Sequence, residues 1–177
     1  HSLETDVGVL DVDIEADGTV WMTGNSPTVE QLDVDDTRLA SALGADVATL
    51  QDVGADLPVG RASTGLPVLV VPINFLESLG GLSPDVGLIE QLSEKYDVAG
   101  IYVFTFDTLS AESTAHGRFF APAVGVDEDP VTGTASGAFG AYLDTIGSAA
   151  FDSLPEELRL EQGHFLDRGG LVRVRVD

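Results

Sequence analysis

Residues 118–143 read RFFAPAVGVDEDPVTGTASGAFGAYL, and the second half of that run decides the fold. From Thr134 to Ile146 the spacing predicts a helix. Ala135, Phe139, Tyr142, Leu143 and Ile146 line one side of it, and Gly137, Ala138, Gly140 and Ala141 fill the others. A helix that is apolar or tiny all round is buried rather than amphipathic. Its two glycines cost about 1 kcal/mol each against alanine, a cost that strands packing close against them would offset. A central helix wrapped by a curved sheet satisfies both demands.

The flanking sequence supplies that sheet. Val7 to Ile14 ends in an alternation of apolar and acidic residues and meets Val20 to Thr23 across Ala16-Asp17-Gly18, a hairpin signal. Asp35 or Asp36 caps a short helix running through Leu43 and stopped by Gly44. Pro67 to Ile73 reads as a buried strand. Ser83-Pro84 signals the start of a helix with Leu88, Ile89 and Leu92 at helical spacing. Val98 to Phe106 and Ala115 to Phe120 are strands. Leu158 to Leu160 and Leu171 to Val176 close the chain, the latter as an edge or half-exposed strand. Without regular βαβα alternation, the expected class is α+β, with a mixed, mainly antiparallel curved sheet around a central helix. Residues 1–177 read as a single domain. Trp21 and Met22, in a strand, read as core rather than as a ligand platform.

Composition narrows the function. Thirty Asp and Glu against eight Lys and Arg give a net charge of −22, spread through foldable segments rather than gathered in a tail. No basic stripe exists to neutralise phosphates, so nucleic acid is not an expected partner. No apolar run approaches ~18 residues, so no membrane helix is expected. Dispersed acid with a single lysine, Lys95, fits a cytoplasmic protein of a halophile, where salt screens self-repulsion. The absence of cysteine removes disulfides, thiolate metal sites and a cysteine nucleophile. The chain begins with His1 rather than Met, so a preceding segment is expected.

The chemical candidates lie in the opening stretch. Asp129 precedes Pro130, which biases it towards an extended backbone. A helix start follows, offering unpaired N–H groups and partial positive charge to a carboxylate or phosphate. Gly133 lets a ligand approach the backbone, and Thr132 or Thr134 can cap or donate a hydroxyl. The bland alternative is an acidic loop capping a structural helix. Other constellations fail. His1, His116 and His164 lack metal-ligand spacing, and His116 reads as a packed or surface residue. No Gly-x-Ser-x-Gly supports a serine hydrolase, no lysine follows Gly133-Thr134-Ala135-Ser136-Gly137 as in a P-loop, and Asp127-Glu128-Asp129 does not continue as an EF-hand.

Arg118-Phe119-Phe120-Ala121-Pro122, Gly125-Val126-Asp127-Glu128-Asp129-Pro130 and Thr132-Gly133-Thr134-Ala135 together resemble the signature of the PhzF-like phenazine-biosynthesis isomerase/epimerase family, of the diaminopimelate-epimerase fold. The likeness extends to residues 3–14 as a crossover strand, Thr64-Gly65-Leu66-Pro67, and Gln162-Gly163 with Leu171 to Val176. It implies Asp129 as a catalytic acidic residue and Thr132, Gly133, Thr134 and Ala135 as the substrate-binding turn; the family's usual serine is Thr134 here. It implies proton movement on a small carboxylic acid, without metal or cofactor, and homodimerisation. It also implies two domains, of which this chain matches the second plus the crossover at 1–14. The first domain, with the principal Glu acid/base, has no counterpart in these residues. The chain alone is therefore expected to be inactive until joined to such a domain. The alternative is a non-catalytic module that binds an anion or pairs with a partner.

Overall fold

At the centre lies the helix Gly133–Thr145, with eight of its residues from Ala135 to Leu143 buried on all sides. A computed structural model describes residues 2–5, 8–51, 53, 56–147, 151 and 153–176. Val7, read from sequence as the start of a strand, and His1 lie outside the described residues. In chain order the elements are β1 (Ser2–Thr5), β2 (Gly8–Ile14), β3 (Val20–Met22), β4 (Thr28–Gln31), α1 (Asp36–Leu43), α2 (Val47–Gln51), β5 (Gly60–Ser63), β6 (Pro67–Pro72), α3 (Leu76–Gly80), α4 (Val86–Tyr96), β7 (Gly100–Thr105), β8 (Ala115–Ala121), β9 (Val126–Asp129), α5 (Gly133–Thr145), β10 (Leu158–Gln162) and β11 (Gly170–Val174).

Eight strands form one sheet in the order β11-β10-β8-β7-β6-β5-β4, with β9 also on β8. Pairs β6/β7 and β8/β10 are parallel and the rest antiparallel, so the α+β class and mainly antiparallel pairing agree with the sequence. Helix α5 touches β4, β5, β6 and β11, strands from both ends of the sheet, which therefore curls around it. Period-two alternation divides the strands between two cores. Val68, Val70, Tyr102, Phe104 and Phe119 face α5, while Leu69, Val71, Ile101, Val103 and Phe120 face α1, α3 and α4. Burial on both faces explains why 67–73 reads as a continuous apolar run.

Local signals set the helix ends. The Asp35 carboxylate accepts the Arg38 N–H at 3.0 Å, and Gly44 ends α1 in the left-handed region. Helix α4 starts two residues later than Ser83-Pro84 indicates. The Ser83 and Asp85 N–H groups are tied to the carbonyls of Leu43 and Ala42, so this segment stays extended, and the Asp85 carboxylate caps the Leu88 N–H at 3.0 Å. At Gly140 a Cβ would lie 2.7 Å from Val174 Cγ1, so a glycine here lets β11 close on α5. Phe139 sits between Phe104 and Tyr102, at centroid distances of 4.4 and 5.4 Å.

Strands β1, β2 and β3 form a separate sheet, its hairpin turned at Gly18 with φ +88°. Trp21 and Met22 are not core as expected. Arg173 and Arg175 stack on the Trp21 ring at 4.9 and 3.9 Å, while the opposite face leaves Ile14, Val20 and Met22 exposed. Among the described residues no helix is long and apolar enough to cross a membrane. Truncating Phe139→Ala is expected to cost about 3–5 kcal/mol, because its site is lined by ring faces and backbone that cannot collapse; urea unfolding followed by circular dichroism measures it.

Candidate active site

Strand β8 shares one edge between two partners. β10 runs parallel to it and ends with Gln162 opposite Gly117; β9 runs antiparallel and ends with Asp129 opposite Phe119. The two strands therefore run towards each other and leave the sheet together beside Arg118. Glu128 and Asp129 end β9, Asp129 extended as the following proline favours, and the chain bends at Pro130. Gly163 begins the exit of β10 with φ +83°, and a Cβ there would collide with the carbonyl oxygens of Pro130 and Arg168.

Where the strands part, Gln162 joins them. Its side chain is 1% exposed. Gln162 Nε2 donates to the Asp129 carbonyl at 2.8 Å and to Thr132 Oγ1 at 3.0 Å, and Oε1 accepts the Thr132 N–H at 3.2 Å. The Thr132 hydroxyl donates to Asp129 Oδ2 at 2.7 Å. Thr132 holds the N-cap position with an extended backbone, but its side chain is turned to Asp129 and does not cap the helix. Its carbonyl accepts the Ser136 N–H, which begins the helical ladder. The N–H groups of Gly133, Thr134 and Ala135 have no acceptor among the described residues. Gly133 is exposed, and no atom lies within 4 Å of where its Cβ would stand. The site thus offers three free donors at the positive end of a 13-residue helix, beside a half-buried carboxylate.

The structure brings together all five residues picked out from sequence, with unequal roles. Gly133 is exposed, and Asp129 and Thr134 are half-buried. The Ala135 side chain is fully buried, so only its N–H is available. Thr132 is 7% exposed and its hydroxyl is engaged on both sides. Thr64, in the β5–β6 turn, reaches the same helix start, its Oγ1 3.5 Å from the Thr134 carbonyl. Gln162 carries no local chemical signal except as an amide at the end of an otherwise alternating strand, and its part in the site depends on pairing far along the chain.

The neighbouring ionic groups serve the scaffold. Arg118 binds Glu128 through two bonds of 2.8 Å, donates to the carbonyls of Leu79 and Leu82, and lies against Phe120 and Phe165. A guanidinium so fully paired anchors β9 to α3, and it commits Glu128. His116 is fully buried, with Nδ1 2.9 Å from Glu161 Oε2. Burial lowers its pKa from the usual value, against the opposing pull of Glu161, so the ring is neutral and Nδ1 donates. Burial alone would raise Glu161, but the Leu109 N–H, the Ser113 side chain, the Ser110 N–H and His116 together hold it below the usual range. Both groups have native pKa values below their unfolded ones, so both bind fewer protons when folded and acid destabilises the chain. Stability is expected to fall as pH drops below about 6.5, the ordinary histidine value. His116→Gln should flatten that slope between pH 7 and 5 while leaving the later Glu161 loss, as read from urea midpoints across the range.

Comparison with known proteins finds relatives along the whole chain. A family model described as phenazine biosynthesis-like protein matches residues 1–177. The uncharacterized isomerase YfhB of Bacillus subtilis is 35% identical over 181 residues, spanning 100% of this chain and 59% of YfhB. An uncharacterized isomerase of Clostridium acetobutylicum is 31% identical, over 98% of this chain and 58% of that protein. The crystal structure of a PhzF-family phenazine biosynthesis protein of Bacillus anthracis superposes with a TM-score of 0.81 at 29% identity, over 97% of this chain and 58% of that one. The chain thus spans less than three-fifths of the length of these relatives.

Proposed function

The chain belongs to the phenazine biosynthesis-like family, and on that premise we propose that it is the second domain of an isomerase or epimerase that moves a proton on a small carboxylic acid. The observation that carries this reading is that Thr132, which immediately precedes three helix-start N–H groups without an acceptor among the described residues, donates its hydroxyl to Asp129. The substrate carboxylate accepts from the N–H groups of Gly133, Thr134 and Ala135, which hold the adjacent carbon towards Asp129. Asp129 exchanges a proton with that carbon. A second acid, on another domain, gives or takes the proton at the other face or position, so charge and hydrogen balance over the cycle. No residue among those at the site stands ready for that second role: Glu128 and Glu161 are engaged with Arg118 and His116.

The relatives' extra length and the exposed face of Ile14, Val20 and Met22 support a further domain packed against β2 and β3. The test is wash-in of deuterium from D₂O into a panel of small α-substituted and unsaturated carboxylic acids, with the protein at its native length. Exchange is expected there and not with residues 1–177 alone. Asp129→Asn should lower it by roughly two to four orders of magnitude, the usual weight of a general acid or base. Anion binding that survives Asp129→Asn, with no exchange at any length, would favour the non-catalytic alternative.

A further inference from the structure

We infer that Thr132 and Gln162 are positioning residues that fix which oxygen of Asp129 receives the proton, an inference whose catalytic meaning rests on the reading above. Gln162 Nε2 carries two hydrogens; one goes to the Asp129 carbonyl and the other to Thr132 Oγ1. The amide cannot turn over, because Oε1 accepts the Thr132 backbone N–H. The Thr132 hydroxyl therefore already receives a hydrogen on the side of Gln162, and its single proton goes to Asp129 Oδ2, 2.7 Å away. Gln162 and Thr132 are near full burial, 1% and 7% exposed, so water does not substitute for the bonds between them.

The carboxylate is thereby made asymmetric. Oδ2 is held as an acceptor, and a proton placed on it would turn the acceptor of the Thr132 hydrogen into a much weaker one. Oδ1 has no partner among the described residues, so proton transfer runs through Oδ1. The same clamp fixes the backbone on both sides of Pro130 and Val131, so the carboxylate and the helix-start donors keep one relative geometry. Thr132 then contributes nothing directly to substrate binding, unlike Gly133.

Two variants separate these roles. Thr132→Val keeps the shape and removes the hydroxyl; Thr132→Ser restores it. In the ¹³C-aspartate-labelled 177-residue chain, the Asp129 carboxyl resonance is expected to move in Thr132→Val and return in Thr132→Ser. Gln162→Met should free the Thr132 side chain to sample several rotamers, seen as averaged three-bond couplings, where the parent shows one. An unmoved Asp129 resonance in Thr132→Val, or a single Thr132 rotamer in Gln162→Met, would overturn the inference. In the deuterium assay at native length, Thr132→Val should lower kcat about ten- to a hundredfold, the weight of one hydrogen bond to a charged group, with KM unchanged. A raised KM at constant kcat would make Thr132 a substrate ligand and contradict the assignment. Failure of exchange in the parent protein would count against the proposed function alone, since the spectra read the hydrogen-bond order without substrate.

Discussion

The sharing of one edge of β8 between β9 and β10 is the constraint on which the site depends. Neither strand continues past residues 117–119, so both strands leave the sheet at one place, and the polar groups they would have spent on a ladder need other partners. Gln162 supplies them with a single buried amide. The helix that follows is then launched from a fixed point, with its first N–H groups turned outward. A continuous ladder at this position would have spent the donors and the carboxylate on scaffold.

The buried helix holds this arrangement from behind. Ring contacts of Phe139 with Phe104 and Tyr102 tie α5 to β7, and the Tyr142 hydroxyl donates to the Pro58 carbonyl at 2.6 Å. On the other face of β8, Arg118 pins Glu128 and α3. Asp129 thus hangs from a strand fixed on both faces, and the Thr132 hydroxyl holds its carboxylate. The net charge of −22 works against an anionic ligand at long range, while the helix start attracts it only within a turn. At an ionic strength of 1 M the Debye length is about 3 Å, so salt removes the repulsion and leaves the local attraction largely in place.

Much of this was legible in the sequence, for identifiable reasons. The all-round apolar and glycine-rich pattern of 134–146 announced a central helix, and the Asp35, Gly44 and Gly18 signals act within a few residues of themselves. The short strands β4 and β5 were not legible, since TVEQ is too short to show a period and GRAS has little β character, and both exist through pairing with β6 and with each other. Trp21 misled because a large aromatic in a strand usually packs inward, whereas here two arginines from the far end of the chain cover it. The site was half legible. Asp129 and the Gly133 turn are adjacent in sequence, but Gln162 lies 30 residues beyond Thr132, and only the sheet topology brings it there.

The most direct measurement is a titration of the ¹⁵N-labelled chain with a small carboxylate such as acetate in high salt, following backbone amides. Gly133, Thr134 and Ala135 are expected to move first and together, with Thr132, already bonded to Gln162, moving less. Saturable shifts centred elsewhere, or none at the start of α5, would contradict it.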